Sequence, residues 1–210
     1  MRFYTVRILC VIFVFLFSKY LNAGIVINKL SNDLIQYRVD LSSDLVSINE
    51  ITLLNTPFIK INFNDFNDNQ GILFKEGFPE LPTIYFYIEG EIKDIKFSSL
   101  NPINFNRSRK LPYLIKPSQP SLEKKYSSLQ QIFINNDVYN SDKIYPAVAY
   151  EIHKVGYQNF KPLYLLTLYP IAYIPKQNII FLRNNFEFTV QTRENNKDPN
   201  IRKNKNIPQT

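Results

Sequence analysis

The sequence predicts an all-β protein, a β-sandwich or jelly-roll-like body between an N-terminal signal segment and a disordered C-terminal tail. Three observations carry this. Aromatic residues are plentiful (14 Tyr, 17 Phe, no Trp), and aromatic and β-branched side chains suit a half-buried pleated surface. Thirteen prolines are spread along the chain, which disfavours long helices. Apolar and polar residues alternate with period two in several short runs separated by turn signals, the pattern of strands in a sandwich.

Residues 1–23 stand apart from the fold. Arg2 and Arg7 precede an unbroken apolar run over 8–17, Lys19 ends it, and Ala23 is a small residue before Gly24. This is the layout of a secretory signal peptide cut after Ala23; the run is too short to span a bilayer. Cys10 lies at the start of the apolar run rather than after it, which argues against a lipoprotein. It is the only cysteine, so the processed chain is expected to have neither a disulfide nor a thiol nucleophile.

The body follows as a series of strands. Ile35, Tyr37, Val39 and Leu41 alternate with Gln36, Arg38 and Asp40, and residues 45–54 and 58–63 read similarly, divided at Asn55-Thr56-Pro57. A polar loop is expected over 64–71. Gly77-Phe78-Pro79-Glu80-Leu81-Pro82 is a rigid turn whose prolines confine it to the border of a sheet. Residues 83–89 form a strongly aromatic strand, Gly90 breaks it, and 92–97 resumes. Residues 101–120 are rich in proline and bases. Residues 121–131 have some helical character, and 132–134 read as a small strand. Residues 148–155 alternate. Residues 163–169 are nearly all apolar and are expected to be the most buried strand, followed by a turn-like link between Pro170 and Pro175. Phe186, Phe188 and Val190 alternate with polar neighbours in the last strand. No internal repeat is present.

From residue 192 the pattern stops, and Asn, Lys, Arg, Asp and Pro dominate as in a disordered tail. The units are therefore 1–23, 24–191 and 192–210. Charge follows the same division. The net charge is +7; residues 1–23 hold three bases and no acid, and 193–210 hold five bases and two acids. The body keeps 17 bases against 16 acids. A nucleic-acid binder needs a basic face on its folded part, so that class is set aside.

Three motifs resemble the propeptide domain of gingipain-type cysteine peptidases. Gly77-Phe78-Pro79-Glu80-Leu81-Pro82 is similar to that family's G-x-P-x-L-P. Tyr145-Pro146 stands where it has an aromatic-Pro step. Leu168-Tyr169-Pro170-Ile171-Ala172-Tyr173-Ile174-Pro175 resembles its l-x-P-x-x-Y-x-P, and 179–190 matches its last strand. Order and spacing agree over 71–191. The chain departs from the family at Asn159-Phe160-Lys161-Pro162, where an Arg-Gly step is frequent, and in that no peptidase domain follows within this sequence.

The resemblance implies a β-sandwich that assists folding of a peptidase and keeps it latent, with a basic residue on a loop entering the substrate pocket. The comparable stretch here is 117–125, and by position Lys124 or Lys125 is the pocket-entering residue. A long cation can satisfy a pocket carboxylate made for a substrate Lys or Arg. Arg107, Arg109 and Lys110 form a secondary basic loop. Gly77, Pro79, Leu81, Pro82, Pro170, Tyr173 and Pro175 are structural motif residues. Arg193, Arg202 and Lys203 are candidate processing sites on a flexible tail. The implied partner is a gingipain-like catalytic domain, and the implied location is periplasmic, cell-surface or extracellular, without stable membrane insertion after signal cleavage.

Catalytic chemistry is not indicated. His153, the only histidine, lies in an alternating strand and reads as structural. Ser121-Leu122-Glu123-Lys124 fits S-x-x-K without its companion motifs. Zinc lacks ligands, and no cofactor is expected. Asp65, Asn67, Asn69 and Glu76 loosely resemble a calcium loop, although a polar turn explains them as well. The alternative reading is an exported β-sandwich binding or adhesion module that has lost its peptidase partner.

Overall fold

A computed structural model describes residues 24–41, 46–64, 69–100, 108–120, 131–183 and 185–193. Two four-stranded antiparallel sheets form the body. The first runs, in spatial order, β1 (Ile25–Lys29), β2 (Leu34–Asp40), β13 (Asn185–Thr192) and β7 (Ile92–Leu100). The second runs β5 (Gln70–Leu73), β6 (Leu81–Glu89), β10 (Lys161–Leu168) and β9 (Tyr150–Gln158). Tyr37, Val39, Phe186, Phe188 and Val190 of the first meet Ile84, Phe86, Ile88, Leu166 and Leu168 of the second in one buried cluster. This is the expected sandwich, with every second side chain turned inward.

Aromatic rings join the layers. Phe188 stacks on Tyr37 at 4.9 Å, meets Phe97 at 5.1 Å and meets Phe86, across the sandwich, at 6.0 Å. Tyr37 touches Phe86 edge-on at 5.2 Å. Such geometry adds about 1 kcal/mol per pair beyond burial.

A second unit caps one side. β11 (Ile171–Ile174), β12 (Ile179–Leu182) and β8 (Ser108–Lys110) form a three-stranded sheet, and β3 (Val46–Leu53) and β4 (Thr56–Phe63) form a ribbon. Ile59, Ile61, Leu81, Leu111, Ile115, Ile171, Tyr173 and Ile180 close between them. The other face of β11 and β12, formed by Ala172, Ile174 and Phe181, packs against Ile144.

Several local expectations change. The segment between Pro170 and Pro175 is not a link but the strand β11, all four residues of which are buried. β10, expected to be the most buried, has only Leu166 and Leu168 fully inside, because its alternate side chains lie on the outer face. Residues 179–190 are two strands in different sheets, β12 and β13. The expected loop over 64–71 contains the start of β5, and the β3–β4 turn falls at Leu54–Asn55, so Pro57 lies within β4. β1 was not foreseen.

Pro82 is the second residue of β6, an inner strand rather than a border. The proline rule is still obeyed locally. β10 pairs with β6 only from Ile84 onward, so Pro82 has β5 alone beside it.

Both two-residue hairpin turns, Leu54–Asn55 and Asn159–Phe160, have positive φ at each residue (45° and 62°, 49° and 61°). That is the type I′ signature, which favours Gly at its second position.

Candidate functional site: the Gly77 tether

The turn between β5 and β6 is built to hold two other pieces of chain. The Gly77 N–H donates to the Ser118 carbonyl at 2.8 Å, and the Gly77 carbonyl accepts from the Asn135 N–H at 2.9 Å. One residue therefore ties both strands of chain that flank 121–130. Its φ is +77°, and a Cβ there would lie 3.0 Å from the Asn135 backbone nitrogen and 3.1 Å from the Phe133 ring. Only glycine meets both the backbone angle and the close approach.

The first leg runs alongside the turn. Ser118 N–H donates to the Phe78 carbonyl at 2.8 Å, and Glu80 N–H donates to the Lys116 carbonyl at 2.9 Å. Pro79 and Pro117 face each other in an antiparallel bridge, where neither residue has an N–H to leave unsatisfied. Lys116 Nζ and Glu80 Oε1 pair at 2.7 Å with both side chains mostly buried.

The second leg is clamped to the first by Gln119. Its Oε1 accepts from the Phe133 N–H at 2.8 Å, while its Nε2 donates to the Phe133 carbonyl at 3.1 Å and the Pro117 carbonyl at 2.9 Å. Residues 132–134 are thus held through Phe133 by a side chain and are not the small strand expected from sequence. Immediately after, Asn135 caps the short helix α1 (Asn136–Tyr139), accepting from the Val138 N–H at 3.2 Å. The buried Tyr139 hydroxyl donates to the Ile115 carbonyl at 2.7 Å. Burial, first, and nearby phenols push the Tyr139 pKa far above the ordinary tyrosine range. Burial likewise raises Tyr145 and Tyr173 to about 12. These phenols stay protonated near neutral pH, and the Tyr139 and Tyr173 hydroxyls act as hydrogen-bond donors.

The remaining motif residues make contacts within the fold. Tyr145 and Tyr173 exchange backbone hydrogen bonds at 2.8 Å each way. The Tyr173 hydroxyl donates to Asn178 Oδ1 at 2.7 Å, and Asn178 Nδ2 donates to the Leu111 carbonyl at 2.9 Å. This fixes the turn after Pro175. The Pro170 carbonyl accepts from the Arg183 N–H, and the Arg183 guanidinium donates to the Tyr169 carbonyl, each at 2.8 Å. Leu81 is buried in the second core.

Among the described residues, the other candidates do not come together in one place. Lys124, Lys125, Arg107, Arg202, Lys203, Asp65 and Asn67 lie outside the described residues. Arg109 and Lys110 belong to β8, an edge strand paired with β12, rather than to a loop. Arg193 N–H donates to the Glu91 carbonyl at 2.8 Å, which ties that processing candidate to the body. Asn69 Nδ2 donates to the Tyr85 carbonyl at 2.9 Å, and β5 separates Asn69 from Glu76. His153, on the exposed strand β9, contacts Glu151 at 3.3 Å.

Two solved structures share this architecture. A chain from the structure addressing zymogenic latency of gingipain K from Porphyromonas gingivalis matches with a TM-score of 0.67 and 15% identity, over 83% of this chain and 95% of that one. A chain from the complex of the pro- and mature domains of RgpB from Porphyromonas gingivalis matches with a TM-score of 0.63 and 14% identity, over 82% and 86%. The fold is gingipain propeptide-like. No protein-family model and no curated protein matches the sequence. The shared fold supports the resemblance drawn from the motifs.

Little in the sequence points to Gln119, Phe133 and Asn135. Asn135, two residues before Asp137, carries an N-cap signal, but a four-residue helix leaves no periodicity to prompt the search. Gln119 carries no signal, since its role depends on a residue 14 positions away.

Proposed function

We propose that the chain is an exported, non-catalytic propeptide-like module. It binds a gingipain-like cysteine endopeptidase domain and holds it inhibited or assists its folding. The observation that carries this is the double tether at Gly77, which fixes both legs of the 121–130 segment on the sandwich. A segment whose ends are fixed loses less conformational freedom on binding. Lys124 and Lys125 lie between those legs in sequence, and either supplies a cation for a pocket carboxylate. The two similar structures concern latency of one gingipain and a pro–mature complex of another, and the same kind of pairing is assigned to this chain. Residues 1–23 supply the export signal.

The test is inhibition of a Lys- or Arg-specific gingipain-type catalytic domain by residues 24–210. The parent inhibits, and Lys124→Ala/Lys125→Ala weakens inhibition by about 100-fold, the scale of losing a buried charge partner. A double variant as potent as the parent removes these lysines from the account. A parent that neither inhibits nor aids refolding of the catalytic domain removes the function.

A further inference from the structure

The outer face of the second sheet carries a trough that the Gly77 tether does not use. Across β6, β10 and β9 the register sets Tyr85, Thr167 and Glu151 in one row and Tyr87, Leu165 and His153 in the next. Ile84, Phe86, Ile88, Leu166 and Leu168 turn into the core, so both rows face outward. Tyrosines of β6 stand on one side, Glu151 and His153 of β9 on the other, and the shorter Thr167 and Leu165 lie between them. Neighbouring strands are about 4.8 Å apart, which sets the two walls about 10 Å apart at the backbone. Thr83 and Tyr169 also line this cleft, whose volume is about 410 Å³. That size, with aromatic walls and a few polar groups, suits a small ligand.

Each wall is held in place. The Tyr85 ring lies over Gly71, where a Cβ would stand 3.4 Å from the ring and 3.0 Å from Thr83 Oγ1. The β5–β6 register is regular at this point, and glycine inside a regular strand marks a close approach. Here it makes room for the aromatic wall. On the polar side, the Tyr169 hydroxyl donates to Glu151 Oε2 at 2.9 Å, and His153 Nε2 lies 3.3 Å from the same oxygen. Burial, and after it the bond to Glu151, raises the Tyr169 pKa, so the phenol stays a fixed donor. The carboxylate is thereby oriented while half-exposed. Both contacts fall on Oε2, which leaves the lone pairs of Oε1 to a ligand.

The chemistry narrows the ligand. The backbone of β10 is paired with β6 on one side and β9 on the other, so the floor offers side chains only and an extended peptide has no ladder to join. Among the described residues lining the cleft there is no lysine or arginine, so nothing there matches a phosphate or a carboxylate. What the trough presents is aromatic rings, a threonine hydroxyl and an oriented carboxylate. Rings cover apolar C–H surface. The hydroxyl and the carboxylate bond to alcohols, the ionised group more strongly. A neutral sugar has both features, C–H groups on the faces of its ring and hydroxyls around the rim. From Leu165 to Tyr169 the floor runs about 13 Å, room for a pair of linked rings.

We propose that the trough over β10 binds a neutral disaccharide, with Tyr87 stacking on a sugar ring and Glu151 accepting from its hydroxyls. The proposal does not rest on the peptidase reading. Residues 24–210 are titrated calorimetrically with maltose, cellobiose, lactose and N,N′-diacetylchitobiose. At least one of these binds with a Kd of about 1 mM or tighter. Tyr87→Ala and Glu151→Ala each weaken that binding about tenfold, a loss of about 1.4 kcal/mol. Tyr87→Phe, which keeps the ring, and Arg38→Ala, on the other sheet, bind like the parent. Tyr87 and Glu151 are exposed, so these variants stay folded, and urea unfolding checks that they do. The proposal is overturned if none of the sugars binds, or if the folded Tyr87→Ala and Glu151→Ala variants bind like the parent.

Discussion

Gly77→Ala lowers stability by about 2 kcal/mol and loosens both legs of the 121–130 segment. A left-handed φ costs a non-glycine residue about 1–2 kcal/mol, and the added Cβ meets the Asn135 nitrogen at 3.0 Å and the Phe133 ring at 3.1 Å. The ring can shift; the backbone nitrogen moves only if the Asn135–Gly77 hydrogen bond lengthens. The effect therefore reaches beyond stability. With that bond weakened, Gln119 is left as the main tie between the legs. Urea unfolding reads the first effect, and the rate of trypsin cleavage after Lys124 and Lys125 reads the second. Both move together if Gly77 is the tether; a stability loss with unchanged cleavage assigns Gly77 to the turn alone.

Phe188→Ala is expected to cost more, about 3–5 kcal/mol, the range for deleting a buried aromatic side chain. Phe188 is completely buried and contacts Tyr37, Phe97 and Phe86. The first two belong to its own sheet and the third to the facing sheet, so the substitution opens a hole where the layers join. Domains of this size have a total stability of roughly 5–15 kcal/mol, so the variant sits near the edge of unfolding. Loss of the far-UV β signal at much lower urea, or no soluble protein at all, is the expected result. A drop under about 1 kcal/mol contradicts the central place given to this ring.

The strands that alternate on one half-buried face were legible in the sequence. Tyr37 and Val39, and Phe186, Phe188 and Val190, point inward as their spacing requires. The motif around Gly77 and Pro79 was also legible as a rigid turn, although its purpose was not, because Ser118 and Asn135 come from distant sequence. β11 is not legible in the sequence because a strand buried on both faces has no alternation, and the flanking Pro170 and Pro175 suggest a turn. The sequence marks the β12–β13 break with the polar step Arg183-Asn184-Asn185, and the strands separate because each finds a different sheet. Phe160 could not be read as a turn residue, since aromatic side chains ordinarily argue for strand. The lysines assigned to the pocket came from resemblance and position, and lie outside the described residues.

Calorimetric titration of residues 24–210 into a gingipain-type catalytic domain, with the substrate pocket either free or covalently blocked, bears most directly on the role assigned to this sandwich. Saturable one-to-one binding to the free enzyme, weakened at least tenfold by the block, is the predicted result. Equal heats with and without the block, or none in either case, would contradict it.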